Sequence, residues 1–322
     1  MALGVGIVGA GKHGERYLRH VADVPQLRLV ALARRDRARG EAQARAYGCR
    51  FHGDAEQLIA DADVDAVVLV VPPTLNAALA SSAARAGKAI LIEKPLATTL
   101  ADCRRIAAAV AASDVTAMVA HTLRFNAAVA AVRAALATIG PLHAAVITQR
   151  FEPSTLAWLD TRAIAGGGIV LHTGVHSFDL LRHLTGDEAR RVSTHTGRVA
   201  TRDTEDNFAA AIEMERGTLA LVGGSRATAG RSGAIELAGR DGQLVGDHVH
   251  GHAATLIGTA RRELTIGEPI ATVAAVLREF AAAVRERRPP AITIGDGAAA
   301  VAIAEACYRA ARNGRSAAVE RL

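Results

Sequence analysis

Three glycines, Gly9, Gly11 and Gly14, form a G-x-G-x-x-G loop that directly follows the apolar run Val5–Val8. In such a loop one glycine allows the tight turn, one lets the backbone approach a pyrophosphate, and one lets helix and strand pack closely. Ala10, Lys12 and His13 fill the positions between, where helix N-terminal N–H groups and a positive dipole end meet an anion. The next strand ends in Ala33-Arg34-Arg35-Asp36, with Arg34 twenty residues beyond Gly14. A carboxylate at that turn would bind a ribose 2′-hydroxyl, whereas arginine pairs with a 2′-phosphate. The pattern implies a dinucleotide, with NADP preferred over NAD and read by Arg34 and Arg35. Lys94, in Glu93-Lys94-Pro95, closes another strand at the carboxyl edge where α/β sheets bind ligands. Further on, His172 and His176 are four residues apart, a spacing that puts two imidazoles on one helical face.

The elements that must position these groups alternate regularly over the first 120 or so residues. Strands are expected at Val5–Val8, Leu27–Ala33, Ala66–Val71, Ala89–Ile92 and Thr116–His121. Helices are expected near Lys12–Val24, at Arg37–Tyr47, at Asn76–Ala86 and from Thr98 or Thr99 through Ala112. Continuous apolar strands between helices predict a doubly wound parallel sheet. After residue 122 the pattern changes. A helix over Ala127–Ala137 precedes β-like runs at Leu142–Arg150, Arg191–Arg198, Asn207–Glu215, Gly217–Gly223 and Ala234–Ala238. A helix from about Gly168 to Leu184 interrupts them, and helices over Val273–Arg287 and Asp296–Arg312 close the chain. The fold class is therefore α/β: residues 1–122 as a dinucleotide-binding domain, and 123–322 as an α+β domain with a large, open, mostly antiparallel sheet. The last helix is expected to be free to pack back on the first domain.

With 322 residues, half of them hydrophobic, the chain can bury two cores. Its net charge of +6 comes from scattered arginines, without a dense basic block or an interleaved aromatic stripe, so nucleic acid is not the expected partner. Three dispersed cysteines, no leader-like N-terminus and no uninterrupted apolar span point to a reducing, cytoplasmic setting without a membrane segment.

Further segments carry a resemblance. Val71-Pro72-Pro73-Thr74 follows the third apolar strand, Glu93-Lys94-Pro95 the next, and Met118 through Asn126 the last of the series. Gly166-Gly167-Gly168 then precedes His172-Thr173-Gly174-Val175-His176-Ser177-Phe178-Asp179. In order and spacing the chain resembles the Gfo/Idh/MocA oxidoreductases over nearly its whole length. The resemblance implies a Rossmann domain joined to an open-sheet domain, with the substrate between nicotinamide and sheet. It implies sugars, inositols and related polyols as substrates, and a homo-oligomer, dimer or tetramer, built through the C-terminal sheet. It assigns Lys94 to the reacting oxygen and His176 to proton exchange. It adds Pro72 and Glu93 to the cofactor site, and Asn76, Arg124 and Asn126 to the substrate pocket. Trp158, the single tryptophan, reads either as an apolar wall against a sugar ring in that pocket or as interface core.

Two positions depart from the family pattern. His172 stands where an aspartate is usual, four residues before the acid–base histidine, and Asn76 where a histidine is frequent. A carboxylate would favour a protonated His176, whereas a second imidazolium opposes it. His172 is accordingly expected to bind a substrate hydroxyl, to share the proton relay, or to mark changed chemistry. No metal is expected: His172 and His176 lack the glutamate of H-E-x-x-H and a third ligand, and His248, His250 and His252 read as an exposed strand or loop. The leading reading is an NADP-preferring dehydrogenase or reductase of a sugar, polyol or related cyclic hydroxyl or keto compound. Its rivals are a reductase of another carbonyl or imine, and a cofactor-binding regulator with altered catalysis.

Overall fold

The computed structural model describes residues 2–322 and divides into two compact units. Unit 1 comprises residues through Thr122 together with Ala271–Ala298, and unit 2 comprises Leu123–Ile270 and Ala299–Leu322.

Unit 1 runs β1 (Leu3–Val8), α1 (Gly14–Val21), β2 (Leu27–Ala33), α2 (Arg37–Tyr47), β3 (Arg50–His52), α3 (Ala55–Ile59), β4 (Ala66–Leu69), α4 (Asn76–Arg85), β5 (Ala89–Glu93), α5 (Leu100–Ser113) and β6 (Ala117–Ala120). The six strands pair in parallel in the order β3-β2-β1-β4-β5-β6. The order reverses between β1 and β4, the switch point outside which open α/β sheets bind ligands. Every residue of β4 and β5 is buried, as expected of strands covered on both faces. Helix boundaries follow local chemistry. The Asp36 carboxylate accepts from the Arg39 N–H to start α2, left-handed Gly48 ends it, and the Thr99 hydroxyl accepts from the Asp102 N–H to start α5.

Unit 2 begins with α6 (Ala127–Ala135), β7 (Leu142–Arg150) and the short α7 (Arg162–Ala165). A π-helical turn over Val170–Gly174 follows and leads into α8 (Val175–Thr185). The strands β8 (Ala189–Gly197), β9 (Asn207–Met214), β10 (Leu219–Ser225), β11 (Ser232–Gly239), β12 (Gly242–Asp247), β13 (His252–Ile257) and β14 (Ala260–Glu263) come next. After α9 (Thr272–Glu286) and α10 (Ile294–Asn313), β15 (Ala317–Ala318) ends the series. The nine-stranded sheet has the order β14-β13-β12-β11-β7-β10-β9-β8-β15. It is antiparallel except where β10 lies parallel to β7. Strand β9 alternates buried Phe208, Ala210, Ile212 and Met214 with outward residues, so one face packs on α6 and α8 while the other stays open.

The α/β class and both sheets match the expectation. Strands β3 and β12–β15 and helices α3 and α7 were not anticipated. Strand β3 has three residues, and β14, Ala-Arg-Arg-Glu, is exposed throughout, so neither carries a hydrophobic period. Helix α9 groups with unit 1, burying Val273, Val276, Leu277 and Phe280 and packing against α1 and β6, whereas the sequence reading assigned all of 123–322 to the second domain. An amphipathic helix advertises an apolar stripe but not the surface that covers it.

Candidate active site

The glycine loop of unit 1 gives each glycine a separate physical role. Gly9 has φ of +97°, and a Cβ there would lie 2.1 Å from the Val70 carbonyl oxygen. A Cβ on Gly14 would lie 2.1 Å from the Gly9 carbonyl oxygen, so this glycine lets α1 close on the loop. A Cβ on Gly11 would meet nothing within 4 Å, leaving an open backbone stretch that an anion can approach. His13 begins α1 without a side-chain cap, so no protein oxygen from that position competes for the helix N–H groups. Ala10 is buried and Lys12 exposed. These residues fit a dinucleotide pyrophosphate.

At the end of β2 the half-buried Arg34 donates to the Ala10 carbonyl at 2.9 Å and to Gln43 Oε1 at 2.6 Å. Both acceptors are neutral, and among the described residues neither Arg34 nor the exposed Arg35 forms an ion pair. Gln43 in turn donates to Glu15 at 2.5 Å, and the Tyr47 hydroxyl also donates to Glu15. Asp36 is occupied by the α2 cap and by Arg39.

A buried carboxylate links the loop to the end of β5. Glu93 Oε1 accepts from His13 Nε2 at 2.7 Å and from the Tyr17 hydroxyl at 2.6 Å, while Oε2 accepts from the Lys94 backbone N–H at 2.9 Å. Burial alone would raise the Glu93 carboxyl. The charges of His13 and Lys94 and the hydrogen bonds of His13 and Tyr17 outweigh it and hold the group at about 2. Burial, reinforced by Glu93, pushes the Tyr17 hydroxyl well above its usual value, so it remains a donor. Tyr17 was not singled out from sequence, although its spacing of four from His13 puts both on one face of α1. The Lys94–Pro95 peptide is cis. Lys94 and Pro72 are half-buried. Asn76, expected at the substrate, is buried and donates its Nδ2 to the Pro95 and Leu96 carbonyls at 3.1 Å each, which supports the loop that follows Lys94.

In unit 2 the glycine run exists because another backbone passes close by: a Cβ on Gly168 would sit 2.0 Å from the Glu205 carbonyl oxygen. The Glu205 carboxylate accepts from the Gly168 N–H at 2.9 Å, the Val170 N–H at 3.2 Å and the Tyr308 hydroxyl at 2.7 Å. It thereby satisfies donors where the helical run starts. Residues 167–181 are all buried except His176, which is half-buried. The imidazole is therefore the one side chain of that run that reaches the surface. His172 Nε2 donates to the Ala165 carbonyl at 2.9 Å, and its ring meets Trp158 edge-on at 5.6 Å. Because a carbonyl only accepts, this nitrogen carries the hydrogen. Arg124 makes a bidentate pair with buried Asp179, Nε to Oδ2 at 2.9 Å and Nη2 to Oδ1 at 2.6 Å. Asn126 caps α6 through Oδ1 and donates Nδ2 to the His248 carbonyl at 3.1 Å. His248 packs on Gly233, His250 Nε2 donates to the Arg231 carbonyl at 3.0 Å, and His252 is exposed.

A six-stranded parallel sheet with an anion-ready glycine loop in one unit, and a large open sheet in the other, define a two-unit dinucleotide-binding protein. Residues 3–121 match the family model described as "Oxidoreductase family, NAD-binding Rossmann fold", and residues 136–319 match "Oxidoreductase family, C-terminal alpha/beta domain". The chain belongs to the Gfo/Idh/MocA oxidoreductase family. It is 30% identical to a 1,5-anhydro-D-fructose reductase of Ensifer adhaerens, over 98% of each chain. It is also 30% identical to an inositol 2-dehydrogenase of Rhizobium meliloti, over 96% of this chain and 97% of the relative. Among solved structures, an aldose-aldose oxidoreductase from Caulobacter crescentus complexed with glycerol superposes with a TM-score of 0.90 at 25% identity, covering both chains completely. Among the described residues no helix is long and apolar enough to cross a membrane.

Proposed function

We propose that the protein transfers a hydride between NADP and a hydroxyl or keto carbon of a sugar, polyol or related cyclic compound. The observation that carries this reading is the Glu93 clamp. It joins His13 of the glycine loop to the backbone of Lys94, so the cofactor loop and the candidate oxygen-polarising lysine are held as one piece. The nicotinamide supplies the hydride acceptor or donor when the cofactor is bound. Gly9, Gly11 and Gly14, with Ala10, Lys12 and His13, hold the pyrophosphate, and Pro72 and Glu93 complete the cofactor wall. Arg34, with Arg35, takes the 2′-phosphate, supported by the absence of a carboxylate on either guanidinium among the described residues. The Lys94 ammonium donates to the reacting oxygen and stabilises negative charge that develops on it. In the oxidation direction neutral His176 accepts the hydroxyl proton, and in reduction the imidazolium returns it. His172, through the Ala165 carbonyl and Trp158, shapes the segment that leads to His176. The names of the relatives support a polyhydroxylated substrate.

The same reading includes a homo-oligomer assembled through the open face of the nine-stranded sheet. Leu219 and Leu221 on β10, 63% and 57% exposed, pair with Ala144 and Val146 of β7, and Leu221 also with outward-facing Ala211 of β9, forming an apolar strip.

Turnover of a polyol and sugar panel with NADP and with NAD tests the function. Lys94→Ala and His176→Ala should each lower turnover by roughly 100-fold or more, the scale of positioned acid–base groups. Cofactor affinity, measured separately by calorimetry, should change far less. Near-wild-type turnover in both variants would exclude this chemistry.

A further inference from the structure

Unit 2 contains a cavity that the roles above do not use. Its volume is about 210 Å³, and its lining includes Ser154, Asp160, Glu205, Asp206 and Arg226. This is below the roughly 300–1,000 Å³ of drug-sized ligand pockets, so it suits one monosaccharide-sized molecule. Arg226 follows β10. Its backbone N–H donates to the Asp206 carbonyl at 2.8 Å, and its Nη2 donates to Thr173 Oγ1 at 2.6 Å. Thr173 lies in the π-helical turn between His172 and His176. The guanidinium is thus anchored by a neutral hydroxyl against the segment that leads to the candidate acid–base histidine.

The charge on Arg226 is poorly compensated. Among the described residues no carboxylate lies within ion-pair distance of it, although it is buried enough that desolvation, opposed by the charge of Glu205, lowers its pKa. The three carboxylates on the cavity wall are committed elsewhere. Glu205 serves Gly168, Val170, Tyr308 and Arg162. Asp160 accepts from the backbone N–H groups of Arg202, Asp203 and Thr204, and Asp206 from those of Val199, Ala200 and Thr201. A desolvated guanidinium without an ion partner costs free energy that an anionic ligand recovers, most effectively through a bidentate carboxylate or phosphate contact. The neighbouring carboxylates decide which. A dianionic phosphate meets their combined repulsion, whereas a single carboxylate on a polyhydroxylated ring presents one charge to Arg226 and hydroxyl donors to the acidic wall.

Resting on the oxidoreductase reading, we infer that Arg226, held in place by Thr173, forms a subsite for the carboxylate of a monoanionic sugar acid, a uronate or an aldonate. Arg226 is then the residue that separates acidic from neutral sugars.

Calorimetry on the protein loaded with NADPH or NADH tests this independently of catalysis. The probes are a panel of hexuronates and aldonates, their neutral sugars, and glucose 6-phosphate. At least one carboxylate should bind the wild type about tenfold or more tighter than its neutral counterpart and than the phosphate. Arg226→Gln should reduce that preference by about 10- to 100-fold, the scale of a charge-assisted contact, and Arg226→Lys should restore part of it. Equal binding of acid and neutral sugar, equal weakening of both by Arg226→Gln, or no binding by any carboxylate overturns the subsite. Where Arg226→Gln does not fold, wild type against Arg226→Lys gives the same comparison. Turnover of neutral polyols combined with any of these failures leaves the oxidoreductase reading standing. Carboxylate binding that depends on Arg226, without turnover of any panel member, keeps the subsite and removes that reading.

Discussion

The carboxyl edge of the sheet in unit 1 and the helical run from Gly168 to Leu181 in unit 2 both hold residues that the sequence marked for chemistry. They treat those residues differently. At the sheet edge the binding surface is largely backbone: a tight turn at Gly9, an open stretch at Gly11, a close approach at Gly14, and a helix start without a side-chain cap. Backbone geometry of this kind follows from residue types a few positions apart. Around the helical run most of the singled-out side chains are engaged in bonds within the protein. Arg124 grips Asp179, Asn126 caps α6 and ties the His248 carbonyl, and His172 holds the Ala165 carbonyl. His176 alone of residues 167–181 is not buried. The contrast teaches that a long polar side chain near a site is often part of the frame, and that exposure marks the candidate reactive group.

Four measurements break or sharpen this contrast. The largest effect is expected from Arg124→Ala, which leaves the Asp179 carboxylate buried without its bidentate partner. Chemical denaturation should show a loss of about 3–5 kcal/mol, the usual cost of stranding a buried charge. Unchanged stability together with a collapse in kcat/KM would move Arg124 from the frame into the substrate site.

Glu93→Gln comes next, at about 1.5–3 kcal/mol for charge-assisted hydrogen bonds weakened by removing the negative charge. Its folded-state value of about 2 lies below the ordinary glutamate value of 4.5, so folding favours the charged form. The stabilisation is complete above about pH 4.5 and fades as pH falls toward about 2. Acid unfolding followed over that window should be less steep in Glu93→Gln than in the wild type, and turnover should fall with little change in KM as Lys94 loses its anchor. An identical acid profile would show that the clamp contributes nothing to the sheet edge.

Arg34→Asp should shift the ratio of NADP to NAD affinity by about tenfold or more toward NAD, equivalent to about 1.4 kcal/mol or more. If calorimetry finds the ratio unchanged, the arginine serves only Ala10 and Gln43. The smallest effect is expected from His172→Phe, which retains a ring against Trp158 and removes one hydrogen bond to a carbonyl. A loss of about 1 kcal/mol in stability and a turnover within about twofold of wild type fit a framing role. A loss of turnover near that of His176→Ala would instead make His172 part of the proton relay.

Periodicity and caps were enough to place the parallel strands of unit 1 except β3, helix α2 to the residue, the α5 cap to within Thr98 or Thr99, and β7. These elements depend on local chemistry: apolar runs covered on both faces, a side-chain oxygen at the helix start, and a glycine past its end. The glycine loop and the position of Lys94 at the end of β5 were legible for the same reason. Other features arise from groups far apart in the chain. Tyr17 meets Glu93 across 76 positions, Arg124 meets Asp179 across 55, and Arg226 meets Thr173 across 53. Arg226 had no distinguishing signal, being one more arginine after a Gly-Gly-Ser run in an arginine-rich chain. The absence of an ion partner for it among the described residues, and the engagement of His172 and Asn76 with backbone carbonyls, depend on which surfaces the sheets and helices bring together. Hydrogen-bond partners and desolvation are properties of that assembled surroundings, and no spacing along the chain encodes them.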